Sequence, residues 1–367
     1  MRQPWRCGMI SDRWMRRTVA GFQPYQVAPI HEKRVINANE NYVNILDIPS
    51  VREDAEKLLS SFRPQIYPAP MADSLRESLA EYMGTAPDCI LAGNGGDEMI
   101  TYTMGTFLNP GDRVLIHQPT FDMYEAGAAV LGAETVKVPD LPGFHRNWEG
   151  LLEAVRQHSP KITFICSPNN PTGEAAPLSR IREIAEASEY PVVVDEAYME
   201  FANGKSAVSL IPDHPNVIVL RTLSKAFGMA GLRCGYIVAA PEVILAVAKV
   251  KNPYNLNAFT QAMGCIALRH RREILKVRDR ITAERDRFFK ELETEKGIRV
   301  YPSQTNFLLM DAGASAERLF AAWRKADILV KRFSGKPELE QAFRVTITTE
   351  ETDRMVLQVI REVTHSA

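Results

Sequence analysis

The spacing of apolar and polar residues changes character along the chain. Residues 1–45 are irregular, with Pro4, Pro24 and Pro29 interrupting any long element. From Pro70 the apolar positions take helical spacing: Leu75, Leu79, Tyr82 and Met83 share one face, which predicts a helix capped by Asp73. Short apolar, β-branched runs then follow: RVLIH (113–117), KITFIC (161–166), PVVVD (191–195), NVIVL (216–220) and GYIVA (235–239). These runs are continuous, not alternating, as suits strands covered on both faces in a mainly parallel sheet between helices. Between them, PLSRIREIAEAS (177–188) opens on a proline and repeats its apolar residues at helical spacing. A long charged helical pattern covers about 269–296, and NFLLMD (306–311) and FRVTI (343–347) predict further strands. The expectation is an α/β protein: an N-terminal arm over 1–45, a large domain over 46–255 and a smaller α/β domain over 256–367.

Composition narrows this picture only modestly. A chain of 367 residues is long for one core and short for three. Its 44 basic and 45 acidic residues nearly cancel, so nothing in the charge balance favours nucleic acid or anionic lipid. The local clusters Arg13, Arg16, Arg17 and His270, Arg271, Arg272 read as solvated faces. Five scattered cysteines (Cys7, Cys89, Cys166, Cys234, Cys265) form no CxxC pair, which suits free thiols in a reducing compartment. Cys166 and Cys234 read as small packing residues, and the seven histidines show no ligand spacing, so no metal is expected. No apolar run approaches the ~20 residues of a membrane span, and Arg2, Arg6, Asp12 and Arg13 interrupt any signal-peptide core. The expected location is the cytoplasm.

Chemistry enters where the buried runs end. In open parallel sheets, ligands bind outside the carboxyl ends of the strands. KITFIC runs into SPNNPTG, PVVV into DEAY, NVIVL into RTLSK and RVLIH into QPTF, which aligns Asn170, Asp195, Lys225 and Phe121 along one edge. A glycine-rich turn, GNGG, precedes a helical run from about Asp97, and free amides at such a helix start bind phosphate. Thr222, Ser224 and Arg233 add hydroxyl and guanidinium donors, while the nucleotide-loop pattern GxxxxGK[ST] is absent. One cofactor uses the whole set: pyridoxal 5'-phosphate takes a lysine amine at its aldehyde and an acid at its pyridine nitrogen. Asp195 would hold that nitrogen protonated, Asn170 and Tyr198 would hydrogen-bond the ring oxygen, and Phe121 would cover the ring. Lys225 would be the covalent anchor and, once released, the base.

The motifs SPNNPTG, VVVDEAYMEF and RTLSKAFGMAGLRCGY resemble fold-type I aminotransferases of classes I and II, above all the histidinol-phosphate aminotransferase group. The likeness continues through NANENYVN (37–44), YPAP (67–70), GNGGDE (93–98) and FRVTITT (343–349). It implies a seven-stranded, mainly parallel sheet in the large domain. It also implies Lys225 as the Schiff-base lysine, Asp195 as the pyridinium partner, Asn170 and Tyr198 at the ring oxygen, and Phe121 on the ring. The phosphate would rest on the Gly96 and Asp97 amides, Thr222, Ser224 and Arg233. Tyr67 resembles the tyrosine that reaches the cofactor phosphate of a neighbouring subunit, so the resemblance implies a homodimer with shared sites. Arg344 matches the arginine that grips the acidic end of the substrate, and register sets Lys331 where the family has a second substrate-binding arginine; Asn39 and Tyr42 either line the substrate mouth or serve an ordinary loop. This chain lacks the proline that usually follows NEN, has glycine where serine or alanine usually precedes the aspartate of GNGGDE, and carries Lys331-Arg332 where the family has an arginine. Lysine cannot reproduce a forked contact. The implied reaction joins L-histidinol phosphate and 2-oxoglutarate in histidine biosynthesis. An aromatic amino acid aminotransferase and a phosphothreonine-type decarboxylase are the alternatives on the same scaffold.

Overall fold

A computed structural model describes residues 14–20, 30–333 and 335–365. Cys7, Arg13, the N-terminal prolines and the residues expected to break a signal peptide lie outside the described residues. Twelve strands run through the described residues: β1 (Arg34–Ile36), β2 (Ile90–Gly93), β3 (Arg113–Gln118), β4 (Glu134–Pro139), β5 (Ile162–Cys166), β6 (Val192–Asp195), β7 (Val217–Thr222), β8 (Gly235–Val238), β9 (Arg299–Val300), β10 (Phe307–Asp311), β11 (Ile328–Arg332) and β12 (Ala342–Thr346).

Seven of them form one sheet in the order β2-β8-β7-β6-β5-β3-β4, with β8 alone antiparallel to its neighbours. This is the expected seven-stranded, mainly parallel sheet. The continuous apolar runs have a direct cause. Val192, Val194, Val217 and Val219 pack into one core, with Leu75 and Leu79 of the helix Asp73–Met83. Val193, Ile218, Leu220 and Phe164 pack into a second core on the other face, with Met99 and Met104 of the helix Gly96–Phe107. Successive residues point to opposite faces, and both faces are covered, so every position must be apolar. The register brings Cys166, Asp195 and Leu220 side by side. The chemistry that follows each run therefore emerges at one level.

The second sheet has the order β1-β11-β12-β10-β9. Its first strand comes from the N-terminal segment, where Arg34 pairs in parallel with Ile328. Beyond that pairing the chain touches both sheets' neighbourhoods, Asn39 bonding to Thr346 of β12 and to Tyr198 beyond β6, and Asn41 to the Ala226 carbonyl beyond β7.

Two local expectations change. Asp73 is the first residue of its helix; Ala72, at φ +54°, occupies the cap. Asp73 instead contributes negative charge to the first turn, where it favours the helix dipole, and lies 3.7 Å from Arg76. The long charged pattern at 269–296 is the helix Arg271–Glu293, set off at His270 from the helix Ala258–Arg269. Among the described residues no helix is long and apolar enough to cross a membrane. Cys89, Cys166, Cys234 and Cys265 are free thiols.

Candidate active site

Asp195 ends β6 and is buried. Its Oδ2 accepts from the Tyr124 hydroxyl at 2.5 Å and its Oδ1 from the Ala197 amide at 3.0 Å. Burial pushes this carboxyl up to about 6, against the pull of the Tyr124 hydrogen bond. Tyr124 stacks on Phe164 at 4.5 Å and meets Phe121 edge-on at 5.7 Å, so one aromatic column leads from the core to the sheet edge. The sequence reading missed Tyr124. The signal was present as Phe121-x-x-Tyr124, one helical turn beyond Phe121.

Lys225 lies in the loop after β7, half-buried, and its Nζ donates to the Ala38 carbonyl at 2.9 Å. Burial, aided by the positive charge of Arg344, pulls its ammonium down to about 8. The amine stands 5.8 Å from the ring centre of Tyr198. Tyr198 is itself buried and accepts at its hydroxyl from Asn39 Nδ2 at 2.9 Å; burial pushes the phenol up to about 12. Asn39 is a buried anchor: its amide donates to Thr346 Oγ1 and its carbonyl accepts from Asn306 Nδ2. Tyr42, by contrast, is 36% exposed.

Arg344 sits in the middle of β12, buried between β10 and β11. Nη1 donates to Asn170 Oδ1 at 2.5 Å and Nη2 to the Asn37 carbonyl at 2.7 Å. Lys331 lies directly opposite Arg344 in the antiparallel pair, which places both cations on one face. Burial and the charge of Arg344 lower the Lys331 ammonium. Arg332, one residue on, points to the other face and donates to Glu317 Oε2 at 2.9 Å, away from this group.

The glycine-rich turn begins the helix Gly96–Phe107, with Gly95 at φ +89°. Its first-turn amides have no partner within the helix. Gly235, at the start of β8, lies so near that a Cβ would fall 2.5 Å from the Gly96 nitrogen. This contact sets Arg233, two residues earlier, against the helix start, with its Nη2 3.2 Å from Asp97 Oδ2. Ser224 Oγ is buried with no hydrogen-bond partner, whereas the Thr222 hydroxyl is engaged within the turn, donating to the Cys234 carbonyl and accepting from the Ser224 amide. Tyr67 stands apart from all of these, 77% exposed and stacked on Tyr254 at 4.5 Å.

Behind β5, Arg146 donates to the Cys166 carbonyl at 2.8 Å, beside buried His117 and Asp140. Burial drives His117 well below its usual range, so it stays neutral and gives Asp140 no counter-charge. The Asp140 carboxyl is pushed up to about 8, chiefly by burial, with Arg146 pulling the other way. Folding therefore holds a proton on Asp140 until about pH 8, while an unfolded chain releases it near pH ~4. Its contribution to stability is present at low pH and lost as pH rises through that window. Asp140→Asn is expected to stabilise the apoprotein by about 1–4 kcal/mol more at pH ~9 than at pH ~5 in urea unfolding.

An amine whose pKa is lowered to about 8, a carboxyl at the neighbouring strand end and an amide-rich helix start make this an α/β enzyme with its chemistry gathered at the carboxyl edge of the large sheet. The chain belongs to the family of aminotransferases of class I and II, whose model matches residues 33–360. It is 37% identical over 352 residues to the histidinol-phosphate aminotransferase of Thermoanaerobacter pseudethanolicus, covering 96% of this chain and 99% of the relative. To that of Thermococcus gammatolerans it is 36% identical over 346 residues, covering 94% and 96%. The crystal structure of the Sinorhizobium meliloti histidinol-phosphate aminotransferase in complex with pyridoxal-5'-phosphate superposes with a TM-score of 0.83 at 27% identity, covering 91% of each chain.

Proposed function

We propose that this chain is a pyridoxal-phosphate-dependent aminotransferase that moves the amino group of L-histidinol phosphate to 2-oxoglutarate, giving imidazole-acetol phosphate and glutamate in histidine biosynthesis. The observation that carries this reading is the gathering of Lys225, Asp195, Tyr198 and Asn170 at one sheet edge, with Arg344 bridging Asn170 to the substrate mouth.

The residues fit the cofactor. The unpartnered Ser224 hydroxyl, the Gly96 and Asp97 amides and Arg233 form a cradle for a phosphate. Thr222 braces this cradle, its hydroxyl being given to the Cys234 carbonyl and holding the Ser224 amide. Asp195, held by Tyr124, would face a pyridine nitrogen; Asn170 and Tyr198 would take the ring oxygen, and Phe121, edge-on to Tyr124, would cover the ring. Pyridoxal phosphate supplies an aldehyde that bonds the substrate amine and a pyridine that accepts the electron pair left on carbon. Lys225 Nζ supplies the base, taking the proton from the amine-bearing carbon, and its lowered pKa keeps a usable fraction unprotonated near neutrality.

Arg344 and Lys331, facing each other across β11 and β12, receive the anionic end of the substrate. Two adjacent cations suit the double charge of a phosphate better than the single charge of an amino-acid carboxylate, which favours histidinol phosphate over the aromatic amino acids. Asn39 supports this mouth from within, and Tyr42 lines its outer rim. Exposed Tyr67 reaches the cofactor phosphate of a second copy, making the working unit a homodimer. The enzyme acts in the cytoplasm.

A half-reaction screen tests the reading. The pyridoxal form is mixed separately with histidinol phosphate, phenylalanine, tyrosine, glutamate and phosphothreonine, and conversion to the pyridoxamine form is followed by absorbance. Histidinol phosphate and glutamate are expected to convert it. Rapid reaction with phenylalanine and none with histidinol phosphate would make it an aromatic aminotransferase. Carbon dioxide release from phosphothreonine without an oxo-acid acceptor would make it a decarboxylase.

A further inference from the structure

A buried ionic cluster lies directly behind the candidate site. Arg221 stands on β7, one residue before Thr222, and is almost wholly enclosed. Its guanidinium forks: Nη1 donates to Glu196 Oε2 and Nη2 to Glu200 Oε1, each at 2.7 Å. Glu196 is further held by Ser206 Oγ and the Ala207 amide, both at 2.6 Å, and Tyr82 donates to Glu200 Oε1 at 3.3 Å. One cation thus faces two carboxylates away from water.

Stability alone is a poor reason for such an arrangement, because well-packed apolar residues often do as well or better in the interior. Its placement gives a better one. Glu196 follows Asp195 directly, and residues 196 and 200 bracket Tyr198. Arg221 precedes Lys225 by one turn of loop. The β6–β7 ladder continues to the rung from the Glu196 amide to the Leu220 carbonyl, at 2.8 Å. Past it the chain enters the short helix Met199–Phe201 on one side and the Lys225 loop on the other. The fork of Arg221 crosses this divergence and ties both ends of the Tyr198 turn to the strand that delivers Lys225.

We propose that Arg221 is a positioning residue: its two-pronged grip on Glu196 and Glu200 fixes the Tyr198 phenol relative to the Lys225 amine. This rests on the pyridoxal-phosphate reading above. Arg221→Lys keeps the charge and loses the fork.

The test follows the visible band of the lysine-bound cofactor against pH, together with cofactor affinity, kcat and KM. Arg221→Lys is expected to move the band's pH midpoint by about one unit, in the same direction as Tyr198→Phe, through a weakened hydrogen bond to the ring oxygen. Its kcat should fall about 10- to 100-fold with KM nearly unchanged, as expected when a misplaced group costs the reacting geometry. Combining it with Tyr198→Phe should add no further shift, since both changes act through one hydroxyl. Should Arg221→Lys fail to fold, Arg221→Met with Glu200→Leu replaces the ion pair by apolar packing, leaves Glu196 with Ser206 and Ala207, and is expected to show the same shift. Folded variants that melt earlier but titrate and bind cofactor like the wild type would overturn the proposal. A wild type that forms no visible band with added pyridoxal phosphate would instead overturn the cofactor reading on which it stands.

Discussion

Lys225→Ala is expected to abolish amino transfer, with a loss of at least about 10⁴-fold, because the proposed anchor and base disappear together. The substituted protein should stay folded: Lys225 is half-buried and its ammonium makes one hydrogen bond, to the Ala38 carbonyl. It should also fail to develop the visible band with added pyridoxal phosphate. A second measurement reads the amine itself without cofactor. Burial and Arg344 bring Lys225 to about 8, so it becomes a free base well before an ordinary lysine, whose pKa lies near ~10.4. In the apoprotein, an amine-reactive reagent followed by peptide mass spectrometry should label Lys225 at a rate that rises with pH and levels off near pH ~8–9. Surface lysines should still be accelerating there. A Lys225 that titrates with them would remove it as the base.

Much of this arrangement is legible in the sequence, for a physical reason. A strand covered on both faces must be apolar at every position, so the point where it turns polar is conspicuous. Asp195 after VVV, Asn170 after KITFIC and Lys225 after NVIVL stand out for that reason. The cores on the two faces of the sheet account for those runs residue by residue. Strands β2, β4 and β9 carry no such signal. β2 has only Ile90 and Leu91 as large apolar residues, β9 has two residues, and β4, at the sheet edge, buries Val138 alone of its six. Strand β1 is invisible for another reason: three residues, RVI, gain their place only by pairing with Ile328–Val330, nearly three hundred residues away in the chain.

Parts of the site also depend on distant pairing. Lys331 and Arg332 are neighbours in sequence, and only the register of β11 on β12 decides which one faces Arg344. Glu196, Glu200 and Arg221 lie inside the motifs VVVDEAYMEF and RTLSK, yet nothing local says that they are buried together. Tyr124 could have been found, one turn after Phe121, but its bond to Asp195 spans two strands. Chemistry at strand ends is thus written locally, whereas the groups that hold it in place are written in the fold.

Arg344→Ala is expected to raise KM for histidinol phosphate about 10- to 100-fold, the range for losing charge-assisted hydrogen bonds to an anion. It should also lower kcat, because Arg344 holds Asn170 Oδ1 at 2.5 Å and the Asn37 carbonyl at 2.7 Å, and both segments lose their tie. Arg344→Lys should recover little of either, since a single ammonium cannot span Asn170, Asn37 and a substrate anion together. The charge effect is separable from the contact effect. Arg344 is the second cause, after burial, of the lowered pKa at both Lys225 and Lys331. Removing its positive charge must therefore raise both, and the labelling of Lys225 in the Arg344→Ala apoprotein should shift to higher pH, whereas Arg344→Lys should leave it near the wild-type position. A KM effect without that shift would mean that Arg344 touches the substrate but does not set the amine. A shift in Lys225 with KM unchanged would place the substrate's anionic end on Lys331 alone, the residue opposite Arg344 in the β11–β12 pair.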